Sequence, residues 1–294
     1  MSAQDEAPQH GAPGPGGPDA AVPEAGASDQ GAEQQRRFER GQLLISEGRR
    51  AMAEGHSVMR ALSAEVRPAR ARGAIHQMIW ECERISNRRS QFFSQAGQDA
   101  FLDERVFGGK RGGVFVEVGG FDGITGSNCL FFELMRGWTG LMVEPASVPR
   151  AKAAEFRRCP CLPIAVATGG GEGPFLEIEA GPVQMSGLVE HYDPALKARI
   201  EAEPRFEGKV RPARMRSLAQ VLDSHHIREV DFISLDVTGS EWSILSAFPF
   251  EDYRVHAWSV DSTANGPRIQ SLMEARGYKR VEAMGADDIY VSAP

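Results

Sequence analysis

Acidic residues recur where the apolar, β-branched runs of this 294-residue chain end. Glu117 sits in VFVEV and is followed by Gly119-Gly120-Phe121-Asp122-Gly123; Glu144 closes LMVE, Asp236 follows VDFISL, and Asp261 closes VHAWSVD. In open α/β sheets, ligands bind beyond the carboxyl ends of the strands, near the point where strand order reverses. These acids therefore stand where side chains can do chemistry. Glycines after the first run allow a tight turn and a close approach of ligand to backbone. The dinucleotide pattern GxGxxG fails because Phe121 occupies the second glycine position, and the phosphate-loop signature GxxxxGK[ST] is missing.

Two acids in that turn, Glu117 and Asp122, disfavour a polyphosphate and suit a cationic, hydroxyl-bearing ligand. S-adenosylmethionine, with a sulfonium, an ammonium and a ribose, is such a ligand. Glu144, 25 residues after Gly119, can accept hydrogen bonds from both ribose hydroxyls. A hydroxyl is a poor nucleophile and needs proximity and a base to react. Asp236 and Asp261, at adjacent strand ends, could share the hydroxyl proton or hold Mg²⁺ through oxygen ligands. The alternative for Asp236 is to cap the next turn, and for Glu241 to neutralise a helix N-terminus.

The elements that position these residues are legible as short apolar runs alternating with helical stretches from Ser94 onward. Strands are predicted at 114–118, 141–144, 161–167, 230–237 and 255–261, with helices at 126–136, 150–156, 218–222, 241–247 and 268–275. Residues 278–283 and 288–293 read as a closing hairpin around Gly285. The alternation implies right-handed crossovers and a doubly wound parallel sheet, to which the hairpin adds an antiparallel strand. Residues 168–213 read as a Gly/Pro-rich, largely irregular insertion with a β pair near Pro174–Ile178 and a mobile piece around Met185–Arg205, forming part of an acceptor pocket or lid.

Composition bounds the rest. The formal charge is −7, with 33 Lys+Arg against 40 Asp+Glu, which does not describe a nucleic-acid binder. Residues 1–33 carry six acids and no Lys or Arg, whereas 34–90 carry twelve Arg and six Glu. The first 35 residues hold too little apolar surface to offset ordering and read as a disordered tail; 36–90 read as an Arg-rich helical extension broken at Pro68; 91–294 read as one catalytic domain. No internal repeat is evident at this level. Cys82, Cys129, Cys159 and Cys161 complete neither a bridge nor a zinc pattern, and no signal peptide or spanning segment is evident, so a cytoplasmic location is expected. His225-His226 fall on the far end of the sheet, His191 and Tyr192 lie in the insertion within reach of a substrate, and Trp138, Trp242 and Trp258 fit packing.

The segments VFVEVGGFDGITGSN, GWTGLMVEP, VDFISLDVTGSEWSIL and DDIYV, in that order, resemble the FkbM-type S-adenosylmethionine-dependent methyltransferases, and SQAGQD (94–99) is similar to a stretch found in part of that family. The resemblance covers about residues 91–294 and implies a class I methyltransferase fold, a Rossmann-like sheet of strand order 3-2-1-4-5-7-6. It implies that Glu117, Gly119, Asp122 and Gly123 line the methionine end, that Glu144 holds the ribose, and that Ile164-Ala165 border the adenine. Asn128 matches the family's Ser-Asn and would orient Asp122. On the acceptor side the family's Asp-Val-Glu-Gly-x-Glu reads Asp236-Val237-Thr238-Gly239-Ser240-Glu241 here, and the fifth strand ends in Asp261-Ser262 where Glu-His or a similar pair is common.

The expectation is an O-methyltransferase for a small hydroxylated acceptor, a sugar or glycan precursor, with Asp236 as base and Glu241 and Asp261 in support. Two rivals are a nicotinamide-dependent oxidoreductase, opposed by the broken glycine pattern, and a non-catalytic scaffold acting through its Arg-rich helices.

Overall fold

The computed structural model describes residues 29–86, 90–192 and 194–293. Most of the expected tail, residues 1–28, lies outside them. Helix α1, Asp29–Glu65, starts earlier than the sequence texture implied, because Ala32, Glu33, Gln34 and Gln35 are good helix formers. Contacts divide the chain into two compact units, Met1–Ala51 and Met52–Pro294. In the first, Phe38, Leu43, Leu44 and Ile45 are exposed, and a Cβ added to Gly41 or Gly48 would meet nothing within 4 Å. Each glycine inside a helix costs ~1 kcal/mol relative to alanine.

In the second unit, β1 (Val114–Val118), β2 (Thr139–Val143) and β3 (Cys161–Leu162) come first. There follow β4 (Ala165–Val166), β5 (Gly171–Ala180), β6 (Gly187–Leu188) and β7 (Glu207–Arg216), then β8 (Glu229–Leu235), β9 (Arg254–Asp261), β10 (Tyr278–Met284) and β11 (Asp287–Ser292). The main sheet runs β10-β11-β9-β8-β1-β2-β3 and the smaller one β4-β7-β5-β6. In the main sheet β11 alone is antiparallel to both neighbours, β9 and β10. Val118 pairs with Val143 and with Leu235, and Leu235 with Val260. That register brings the next residues of four strands, Gly119, Glu144, Asp236 and Asp261, to one edge.

Alternation decides the two cores. Val116, Ile233 and Trp258 face α7 (Leu218–Ser224), α8 (Glu241–Ala247) and α9 (Gly266–Ala275). Phe115, Phe232 and Ala257 face Phe131 and Phe132 of α4 (Leu130–Arg136) and Trp80 of α2 (Ala69–Ile85). Pro68 stands between α1 and α2, as its missing N–H and fixed φ require. α2 is an integral layer of the domain, so 91 is not its boundary. Trp80 Nε1 donates to Ser94 O (2.9 Å), Arg72 pairs with Glu282 (2.8 Å), and Arg70 donates to Ser262 O and Ala286 O. Two of the three arginines of this helix are thus bonded to the rest of the fold. Among the described residues no helix is long and apolar enough to cross a membrane.

Two expectations are corrected. The run 161–167 is not one strand: it breaks at Pro163, leaving β3 in the main sheet and β4 in the other. The insertion is more regular than expected: the β pair read near Pro174–Ile178 is present and extends well beyond it. β5 and β7 pair over most of their length, with Pro174 opposite Pro212, and α6 (Pro194–Glu201) lies between them in sequence. Cross-strand ion pairs Arg211–Glu177 (3.1 Å), Arg211–Glu179 (2.7 Å) and Lys209–Glu179 (2.5 Å) stitch the ladder. Gly and Pro masked this pattern in the sequence.

Candidate active site

The strand-end edge opens into three adjoining cavities, and Asp236 lines all of them. The wall shared by two of them depends on one glycine. Gly119 has φ +82°, and a Cβ there would stand 1.7 Å from the carbonyl oxygen of Asp236. Asp236 N donates to Val118 O (3.0 Å), closing the ends of β1 and β8 together.

The first cleft is bordered by Gly119, Phe121, Glu144, Ile164, Ala165, Phe175 and Leu188. Glu144 is buried, and its carboxylate accepts from Phe121 N (2.9 Å) and Ala146 N (2.8 Å). Burial outweighs those bonds and pushes its pKa to about 7. A carboxylate at the end of the second strand beside an apolar wall is a set that fits a nucleoside.

The adjoining recess is lined by Gly119, Gly120, Ser127, Asn128, Ser234 and Gln95. Asn128 Nδ2 donates to Ser234 Oγ (3.0 Å) and to Asp287 Oδ2 (3.3 Å), while its buried Oδ1 has no partner. An unpaired buried acceptor is costly unless a ligand donor reaches it.

Three expected ligand residues also build the loop, and Glu117 among them lines the recess as well. Glu117 is buried and accepts from Arg157 Nη1 (2.6 Å), Ser127 Oγ (2.7 Å) and Asn128 N (3.0 Å), which fixes residues 127–130 as a turn, so α4 starts at Leu130 and not at 126. Asp122 Oδ1 accepts from Ile124 N (3.1 Å) and Thr125 N (2.7 Å), an Asx turn that points its carboxylate along the loop. Gly123 faces Ala153 and Arg157, whose side chains leave no room for a Cβ. Asn128 bonds to Ser234 and Asp287, so it does not orient Asp122 as expected.

The third cavity, about 590 Å³, is the acid-rich one. Asp236, Glu241 and Asp261 each offer a carboxylate oxygen within 4.8 Å of the others, so the three expected catalytic acids meet. That spacing could equally seat a divalent cation among oxygen ligands. Asp236 is exposed to the cavity; desolvation by the protein around it, then Asp261, Asp287, Glu241 and Glu144, raises its pKa above the ordinary carboxylate range. Glu241 is pushed to about 7 by burial and then by Asp261, although it accepts from Val237 N (2.9 Å) and Gly239 N (3.0 Å). Its capping and its electrostatic influence are therefore compatible.

A fourth acid went unassigned in the sequence. Asp287, paired in register with Asp261, is buried and accepts from Ser259 Oγ (2.6 Å), Gln98 Nε2 (3.2 Å) and Asn128 Nδ2. Burial raises its pKa to about 6. Two adjacent acids, Asp287 and Asp288, opening a buried strand break the expected pattern, and that anomaly was the available signal. SQAGQD brings Gln95 and Gln98 to the same cavity, held by Asp99, which accepts from Phe93 N (2.7 Å) and Ser94 Oγ (2.5 Å). His191, Tyr192 and Arg199 of the insertion line the opposite wall. Thr238, where the resemblance implied Glu, takes φ +55° and reaches Ser186 O (3.4 Å).

A mainly parallel sheet whose strand ends carry a partly apolar cleft and an acid-rich cavity, both lined by Asp236, defines an α/β protein with two adjoining candidate ligand sites. Residues 117–280, more than half of the chain, match the model of the methyltransferase FkbM domain, and the chain belongs to that family. It is also similar to a crystal structure of methyltransferase FkbM from Methylobacillus flagellatus KT, with 10% identity and a TM-score of 0.39, over 79% of this chain and 57% of that one. The chain thus spans less than two thirds of that relative's length. No curated protein matches.

Proposed function

We propose that the protein transfers a methyl group from S-adenosylmethionine to a hydroxyl of a small polyhydroxylated acceptor, such as a sugar or glycan precursor. The observation that carries this reading is Asp236, the side chain at which the nucleoside cleft, the polar recess and the acid-rich cavity converge.

Glu144 would hold the ribose hydroxyls, Ile164 and Ala165 the adenine, and Asn128 Oδ1 the ammonium of the methionine end. The cofactor, when bound, supplies an electrophilic methyl carbon. The chain's own part is positioning and proton removal. Gln95 and Gln98 from one side and His191 and Arg199 from the other offer hydrogen bonds that orient the acceptor. Asp236 takes the proton of the attacking hydroxyl, and its raised pKa makes it a stronger base near neutral pH than an ordinary carboxylate. Asp261 and Glu241 sustain that basicity by charge.

Calorimetric titration with S-adenosylhomocysteine tests the first half. Micromolar binding that Glu144→Ala abolishes is expected; no binding at millimolar ligand would overturn the proposal. A screen of hydroxylated acceptors then tests the second half.

A further inference from the structure

Helix α1 carries a period that the proposed reaction does not use. Large apolar residues recur every seven positions, at Phe38, Ile45, Met52 and Met59, and the third residue after each is Gly41, Gly48, Gly55 and Leu62. A seven-residue period is the one that keeps a seam of one α-helix facing another over successive turns. In the unit ending at Ala51, Leu44 and Ile45 are 57% and 59% exposed. A Cβ on Gly41, Gly48 or Gly55 would meet nothing within 4 Å. Met52, Gly55 and Met59 are half-buried, but among the described residues nothing accounts for the glycines at 41 and 48, whereas a second backbone brought close would.

We propose that this face of α1 docks against α1 of a second copy of the chain, the two helices parallel, with Gly41 and Gly48 at the closest approach. Charge selects both the occupant and the direction. At 100° per residue the stripe centred on the glycines has Glu47 on one flank and Arg49 on the other. Both are exposed, and neither makes an ion pair among the described residues. A two-fold axis along the helices sets Glu47 against the partner subunit's Arg49, and Arg49 against the partner subunit's Glu47. An antiparallel pair centred on Gly48 would instead bring Glu47 to Glu47 and Arg49 to Arg49. The helix is thus complementary to itself in one direction only.

Sedimentation of the full chain reads the outcome. The expected mass is twice 32.0 kDa at micromolar concentration. Ile45→Glu should raise the dissociation constant more than about tenfold. Glu47→Arg should weaken the pair, and adding Arg49→Glu to it should restore dimerisation. Under oxidation Gly41→Cys should cross-link to itself, with the unsubstituted chain as the control for its own cysteines. A monomer, a dimer indifferent to Ile45→Glu, or a Gly41→Cys variant that gives no bridge overturns the proposal. Monomeric protein that co-sediments with anionic phospholipid vesicles would replace it with a membrane-surface role for the same Arg-rich helix.

Discussion

Arg157 and Glu117 lie 2.6 Å apart with both side chains buried, and this pair holds the loop that walls the proposed cofactor site. Arg157 also bonds Glu133 (2.5 Å) and the carbonyl of Gly123 (3.2 Å), while Glu117 anchors the turn at Ser127 and Asn128. One guanidinium thus ties β1, the glycine loop and α4 into a unit.

Removing it leaves two buried carboxylates uncompensated. Arg157→Met is expected to cost about 3–5 kcal/mol. Chemical denaturation checks this: a loss below about 1 kcal/mol would mean the network relaxes without it.

The carboxyl of Glu144 titrates at about 7, and only its ionised form accepts two hydroxyl donors. Affinity for S-adenosylhomocysteine should therefore rise as pH is raised through 7 and level off above it. Glu144→Gln should flatten that profile. A profile for the unsubstituted protein that is flat from pH 6 to 8 would dissociate Glu144 from the ribose.

The same shifts act on stability with the opposite sense. Glu144, Glu241 and Asp287 have folded pKa values above their ordinary ones, so the fold binds protons that the unfolded chain releases. Their contribution is fully present below about pH 4 and is lost as pH rises through 6 to 7. Asp236→Asn should consequently melt higher than the parent at pH 8, with the gap narrowing at pH 5. As the proposed base, the same variant should lose about 10²–10⁴-fold in turnover. Retained turnover would move the base elsewhere in the cavity.

Metal dependence separates the two uses of the acid trio. Proton sharing among Asp236, Glu241 and Asp261 predicts turnover unchanged by EDTA. A loss restored by Mg²⁺ would assign the trio to cation binding.

Thr238 is a β-branched residue at positive φ, a conformation costing about 1–3 kcal/mol. Thr238→Gly should recover part of that in stability, and equilibrium unfolding measures it. Unchanged or lower stability would show that contacts such as the one to Ser186 O outweigh the strain.

The sheet and the acid row were legible because inner parallel strands are apolar on both faces over their last residues, so the acids that end or follow those runs stand out: Glu144, Asp236 and Asp261. Loop direction was not legible. Glu117 and Asp122 have the right chemistry for a cationic ligand, but which way a side chain turns depends on partners far along the chain, Arg157 above all. Asp287 was missed because it opens a hairpin strand instead of closing a parallel one. In the insertion the β pair near Pro174–Ile178 was legible but its extent was not, because Pro174 and Pro212 sit across from each other in the ladder, a placement that local propensity argues against. The repeat in α1 escaped notice because three of its seam positions are glycines, which carry no hydrophobic signal.

The 1.7 Å that would separate a Cβ on Gly119 from the Asp236 carbonyl has a consequence for divergence. In the proposed reaction, donor side and acceptor side are joined there by main chain alone, so the distance a methyl group would travel is set by two strands and not by any replaceable side chain. His191, Tyr192 and Arg199, on the far wall, are under no such constraint. Acceptor range can drift there, residue by residue, while the transfer geometry stays where the sheet put it.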